Sequence, residues 1–267
     1  MNRLASTAVK FTKAELAFCD ELTGSGACCT LLSGSYARGW EHQHSDVDVI
    51  VIGQAPEAMR TPDDREVLRH LRYIDGKRWE IEYYQPGFIA RLANAVSEER
   101  AAMAKGGDPL SVLGAYRLSR ALRLHDGVPL SGPELAESCK RQLSAAGLAE
   151  VVTGLAVHEC DAAVDDALGL LAAGDLQSAV LAAAVALGYA IDACLAWHGQ
   201  LTPGAKWRYR KYLLLTEREK PGELPMTAEK CWRLLTLADL ETSNADAWVH
   251  DIVGKCQQVI FEVTEKA

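Results

Sequence analysis

The chain has 267 residues, 49% of them hydrophobic and 24% charged, which is enough for one large globular domain or two modest ones. Its formal net charge of −8 and pI near 5.4 give it no general attraction for polyphosphate backbones, which argues against a nucleic-acid-coating role. No long apolar segment follows Met1, and the longest apolar run, roughly 179–190, is short and rich in alanine, so a cytoplasmic protein with no membrane partner is expected.

Residues 11–22 carry the pattern of an amphipathic helix with Thr12 as its N-cap. A short apolar run at 27–32 ends on Gly34-Ser35. Residues 46–52 alternate aspartate and valine before becoming wholly apolar, and Gly53 closes them, which is the pattern of a strand. A helix is expected over 62–72. The stretch 72–84, broken by Asp75-Gly76, reads as a hairpin because Asp-Gly is a strong two-residue turn signal. Helices follow at 88–105 and 109–121, then a short strand at 122–125 stopped by Asp126-Gly127.

Pro129, Gly132 and Pro133 cluster next, and the domain boundary is placed near residue 130. Alanine and leucine dominate beyond it. Helices are expected at about 133–146, 149–172, 175–199, 205–218, 226–238 and 243–265, joined by short connections as in a bundle. The expected architecture is α+β, with a mixed-sheet domain over 1–130 and an all-α helical bundle over 131–267. The eight cysteines show no C-x-x-C spacing and read as small buried hydrophobes in a reduced compartment.

The informative segment is Leu31-Leu-Ser-Gly-Ser-Tyr-Ala-Arg-Gly-Trp40 followed by Ser45-Asp-Val-Asp-Val-Ile-Val-Ile52. Alternate residues of a strand share a face, so Asp46 and Asp48 point together. Two adjacent carboxylates repel unless a cation lies between them or one is protonated. A divalent ion resolves the conflict, and carboxylate oxygens are the hard ligands that Mg²⁺ takes alongside substrate phosphates. Gly34 lets the backbone approach a ligand closely, while exposed N–H groups and the Ser35 hydroxyl suit phosphate oxygens.

This pattern, Gly-Ser followed about ten residues later by Ser-Asp-x-Asp, resembles the signature of the DNA-polymerase-β-like nucleotidyltransferase superfamily. Within it the chain is similar to the small bacterial enzymes that adenylylate aminoglycosides and other antibiotics. The resemblance covers roughly residues 25–130. It implies that Ser35 and Ser45 contact the triphosphate, that Asp46 and Asp48 bind two Mg²⁺ ions, and that a third carboxylate comes from a neighbouring strand. Glu80 and Glu82 in Arg78-Trp-Glu-Ile-Glu-Tyr-Tyr84 are the candidates. Glu80, between Trp79 and Ile81, matches the family's apolar-acid-apolar triplet and would act as both metal ligand and general base, with Glu82 as the alternative.

Other signals are weaker. Arg38 follows the Gly-Ser pair and either braces the loop, for instance against Asp46, or contacts phosphate. His42 and His44 lie in the loop before the aspartates. Lys206 heads the run Lys206-Trp-Arg-Tyr-Arg-Lys211, which reads either as an electropositive edge reaching the triphosphate or as a solvated helix face. Arg65 and His70 have an R-x₄-H spacing that is treated as chance. Glu159, Asp161, Asp165, Asp166, Asp239, Glu241 and Asp246 suit either a solvated face or a pocket for a polyamine.

Taken with the resemblance, these features imply a nucleotidyltransferase that moves a nucleoside monophosphate, AMP from ATP, to a hydroxyl of a small cationic acceptor. An aminoglycoside-like antibiotic is favoured. A transferase that adenylylates a partner protein, as in antitoxin-like modules, is the alternative, and a catalytically silent scaffold is disfavoured because every carboxylate position is filled. A monomer or homodimer is expected.

Overall fold

The computed structural model describes residues 11–24, 27–55, 66–220 and 223–265. The architecture is the expected α+β one, a mixed five-stranded sheet followed by helices. By internal packing the chain divides into two units, one of Met1–Ala101 with Ser111–Leu148 and one of Ala102–Leu110 with Ala149–Ala267.

The first unit begins with helix α1 (Lys13–Gly24), strand β1 (Ala27–Ser33), a single helical turn α2 (Gly34–Ala37) and strand β2 (Val47–Gly53). A hairpin of β3 (Val67–Ile74) and β4 (Lys77–Tyr84) comes next, then α3 (Pro86–Met103), α4 (Gly114–Asp126), β5 (Val128–Ser131) and α5 (Pro133–Ala145). The strand order is β3-β4-β2-β1-β5. Strands β2 and β4 run parallel, and the other neighbours are antiparallel.

Local chemistry explains how the sheet is started. The Thr12 hydroxyl accepts from the Glu15 N–H at 3.2 Å and Glu15 Oε2 accepts from the Thr12 N–H at 2.8 Å, a reciprocal capping box. Glu15 is fully buried, with its other oxygen 2.7 Å from Lys77 Nζ. The Thr12 hydroxyl also donates to Asp75 at 2.6 Å. Helix α1 is thereby moored to the hairpin turn, where Asp75 (φ 49°) and Gly76 (φ 74°) supply the two left-handed residues of a type I′ turn.

Strand β2 is buried on both faces from Val49 onward, as its apolar run predicts. Val47, Val49 and Val51 share a core with Phe18, Leu22, Leu32, Trp79 and Ile81, and Phe18 meets Trp79 edge-on at 5.3 Å. The opposite face carries Ile50, Ile52 and Tyr84, whose ring packs on Phe88 of α3 at 5.3 Å.

Several expectations are corrected. Residues 67–72, expected to be helical, are strand: the tight turn at 75–76 sets a register in which Val67–Ile74 pairs with Lys77–Tyr84 along its whole length. Residues 62–65 of that expected helix lie outside the described residues. Residues 122–125 are helix rather than strand, because Leu118, Ala121, Leu122 and Leu124 form one continuous buried face of α4. That helix starts at Gly114 rather than near 109, since Leu110 (φ 64°) and Gly114 (φ 71°) are left-handed. The Pro/Gly cluster near residue 130 lies inside the first unit, where β5 pairs with β1 and α5 packs on both.

The second unit holds α6 (Leu148–Ala172), α7 (Leu176–Trp197), α8 (Ala205–Arg218), α9 (Ala228–Leu235) and α10 (Ala245–Glu265). Helix α7 is the axis, packing on α8, α9 and α10. Its buried Ala179, Ala183, Ala186 and Ala190 leave room for Val249, Ile252, Val253, Cys256, Val259 and Val263, which recur at helical spacing along α10. By length and composition α7 could cross a membrane, but 67% of its apolar window is buried in the protein, as for a core helix. Seven cysteines are buried and Cys28 is exposed. Burial pushes the thiols of Cys29 and Cys231 up to about 12.

Candidate active site

The parallel register of β2 and β4 sets Asp48 opposite Glu80 and Ile50 opposite Glu82. Neighbouring strands are about 4.8 Å apart, so the Asp48 and Glu80 side chains leave the same face side by side. Asp46 precedes β2 by one residue, and Glu82 lies one repeat further along β4. On the other flank of β2, Ser33 pairs with Asp48, and the chain turns immediately into α2.

Gly34 makes that turn possible. Its φ of 64° is left-handed, and a Cβ there would collide with Asp48 Oδ2. The Gly34 backbone therefore lies close against the carboxylate, a closeness only glycine permits. Ser35 caps the loop through its carbonyl, which accepts from the N–H groups of Arg38 (3.2 Å) and Trp40 (2.9 Å). The Ser45 hydroxyl accepts from the His42 N–H at 3.0 Å and so fixes the turn that delivers Asp46. His42 and His44 are exposed.

Each acid has arginine partners. Asp46 pairs with Arg78 and Glu80 with Arg69. Glu82, 1% exposed, accepts from Arg120 at 2.9 Å and from the Tyr84 hydroxyl at 2.8 Å. The Arg123 guanidinium stands 3.5 Å from Asp48 Oδ1, Glu80 Oε1 and Glu82 Oε1 alike. Burial raises the Asp48 carboxyl above its ordinary range; Arg123 lowers it, while Glu80, Asp46 and Glu82 push it further up. Burial disfavours the Arg123 cation, but Glu82, Asp48 and Glu80 outweigh it, so its pKa is raised.

Arg120 and Arg123 come from α4, whose position is set at both ends. The buried Glu99 carboxylate accepts from the Val112 and Leu113 N–H groups at 2.9 and 2.8 Å, just before the helix starts. At the other end Asp126 pairs with Arg38. Arg38 thus braces the loop against α4 rather than against Asp46. Its guanidinium also lies 5.2 Å from the Trp40 ring.

Sequence reasoning singled out the acids and the glycine turn but missed Arg69, Arg78, Arg120, Arg123 and Tyr84. A signal existed for the helical pair: Arg117, Arg120 and Arg123 recur every third residue, which places basic groups along one side of a helix. Ending the helix at 121 hid it.

The donor set suits a hard divalent ion, being all carboxylate, with two members adjacent in register. Among the described residues, no three His, Cys, Asp or Glu side chains converge closely enough to hold an ion in this conformation. The physical cause is visible: Asp46 is turned to Arg78, and Glu80 to Arg69.

Lys206 belongs to the second unit, exposed in the first turn of α8 with its ammonium 5.3 Å from the Trp207 ring. Two other basic residues of that run are internal. Arg208 forms a two-point pair with buried Asp192 (3.0 and 2.7 Å), and buried Lys211 donates to the Thr202 carbonyl. Asp239 is paired with Lys230 and Arg233, and Glu159 is half-buried, whereas Asp161, Asp165, Asp166, Glu241 and Asp246 are exposed. Arg65 lies outside the described residues, and His70 sits in β3.

No protein-family model matches the chain, and no curated protein matches it. Among solved structures it is similar to a nucleotidyltransferase-like protein from Exiguobacterium sibiricum 255-15. The two share 12% identity over 94% of this chain and 78% of that one, with a TM-score of 0.38.

Proposed function

We propose that the chain is a metal-dependent nucleotidyltransferase that moves AMP from ATP to a hydroxyl of a small cationic acceptor, with an aminoglycoside-like antibiotic favoured. The observation that supports this most is the pairing of Asp48 with Glu80 directly against the left-handed turn at Gly34. An anion-binding backbone and two hard carboxylates share one spot, as a metal-bound triphosphate requires.

In this reading Asp46, Asp48 and Glu80 hold Mg²⁺, which when bound offsets charge on the triphosphate and lowers the barrier to attack at the α-phosphorus. The backbone at Gly34 and Ser35, with the hydroxyls of Ser35 and Ser45 and the charge of Arg38, would orient the phosphates. Glu80 would accept the proton of the acceptor hydroxyl as attack begins. It is 4% exposed, so little bulk water competes for that role. Glu80 has one exposed arginine arm, Arg69, to give up, whereas Glu82 is held by two inner partners, Arg120 and the Tyr84 hydroxyl, which makes Glu82 a scaffold for the site and the weaker candidate for the base.

The test is to incubate the full chain with Mg²⁺, each of the four nucleoside triphosphates and a panel of aminoglycosides, and to weigh the small molecules. The expected result is a gain of one nucleoside monophosphate on an aminoglycoside, with pyrophosphate released. Asp48→Ala should abolish it without unfolding the chain, since a carboxylate disfavoured by burial is removed. Wild-type turnover in that variant would refute the site. Labelling of a polypeptide instead would move the acceptor assignment to a protein.

A further inference from the structure

Arg123 differs from the other cations around the acids. Arg78 and Arg69 are exposed arms that each pair with one carboxylate, and Arg120 is hydrogen-bonded to a fully buried one. Arg123 instead stands 3.5 Å from three carboxylates at once. At that separation it is held by the summed field of the acids more than by an aligned hydrogen bond. Its helix is fixed at one end by Glu99 and at the other by Arg38, so its placement is imposed by the fold.

We propose that Arg123 is a positioning residue that acts as a tethered counter-cation. It occupies the field of Asp48 and Glu80 until a metal-bound triphosphate arrives, then yields both acids to the ion and turns to the phosphate oxygens. This rests on the reading of those acids as metal ligands. The physical basis is competition: a guanidinium and a divalent ion cannot both lie against the same two carboxylates without strong repulsion. Metal alone takes two of the three carboxylates that Arg123 faces, leaves it only Glu82, which Arg120 and Tyr84 already bond, and offers no substitute partner. Metal arriving with a triphosphate brings one, because the planar fork of arginine donates in pairs to phosphate oxygens. Metal and nucleotide should therefore bind with positive coupling, each tightening the other.

The experiment measures Mn²⁺ binding to the full chain by electron paramagnetic resonance of the free ion, with and without a non-hydrolysable ATP analogue, after subtracting the ion taken up by the analogue alone. Wild type should bind Mn²⁺ weakly alone and more tightly with the analogue. Arg123→Gln should bind Mn²⁺ alone about tenfold tighter than wild type, since a competing cation is gone. The same variant should lose most of the analogue's effect. In turnover it should raise KM for the triphosphate more than it lowers kcat. Arg123→Lys keeps a charge too compact to face three acids and should fall between the two. Thermal melts check folding, and Arg123→Met serves as the neutral variant if the glutamine one does not fold.

Unchanged or weaker Mn²⁺ binding in the neutral variant would overturn the proposal. If wild type nonetheless transfers nucleotide, the counter-cation role falls while the proposed function stands. Tighter Mn²⁺ in the neutral variant with no transfer to any acceptor would leave Arg123's role standing and remove the function. No Mn²⁺ binding in any form, with or without nucleotide, would overturn both.

Discussion

Two glycines in the same loop share a backbone conformation but not surroundings, which lets one structural claim be isolated. Gly34 and Gly39 have φ of 64° and 65°. A Cβ at Gly39 would meet nothing within 4 Å, whereas a Cβ at Gly34 would strike Asp48 Oδ2. Gly39→Ala should therefore cost only the left-handed penalty, about 1–2 kcal/mol. Gly34→Ala carries the same penalty plus that of pushing a packed carboxylate aside, about 1–3 kcal/mol more by the cost of overpacking. The carboxylate's own Cβ would lie 3.5 Å away, an ordinary contact, so the excess belongs to the carboxyl group. Urea unfolding in chelator, with m-values compared, measures both costs. In an Asp48→Ala background the Gly34→Ala cost should drop to that of Gly39→Ala. Equal costs in the parent, or coupling to Asp48 below about 0.5 kcal/mol, would refute the close approach of turn and carboxylate.

Burial also makes stability depend on pH. It raises the Asp48 carboxyl in the folded state, so between the ordinary carboxylate range and its raised value the folded chain keeps a proton that the unfolded chain has lost. Without metal, stability should fall as pH rises through that window, and Asp48→Asn should be more stable than wild type above it but not below it. A thermal-melt series from acid to neutral pH checks this, and an equal difference at all pH values would contradict it. In the helical unit, Asp192→Ala strands the Arg208 guanidinium that lies across Gly188 and should cost about 3–5 kcal/mol. Combining Asp192→Leu with Arg208→Met removes both charges and should recover most of that loss in chemical denaturation.

The elements whose signal is local were legible from residue order alone. Thr12 and Glu15 announce a helix start, Asp75-Gly76 a two-residue turn, and the Val-Ile run of β2 a strand buried on both faces. Where local bias and pairing disagree, the sequence misled. Residues 67–72 have no strong strand pattern of their own and became β3 because a tight turn laid them along β4. The helical face ending in Leu122 and Leu124 was split because no Gly or Pro marks its true end before Gly127.

The turn at Gly34 and the carboxylates Asp46, Asp48, Glu80 and Glu82 were named from the sequence, since strand alternation determines which side chains share a face. Which glutamate stands beside Asp48 depended on the register of two strands about 30 residues apart, and spacing along the chain does not encode register. The arginines were harder still. Arg69, Arg78, Arg120 and Arg123 reach the acids from β3, β4 and α4, and an arginine at an exposed-looking position gives no sign of its partner until the chain has folded. Residue order determined the chemistry the site contains. The tertiary structure decided its electrostatics, because long flexible side chains choose their partners by distance in space.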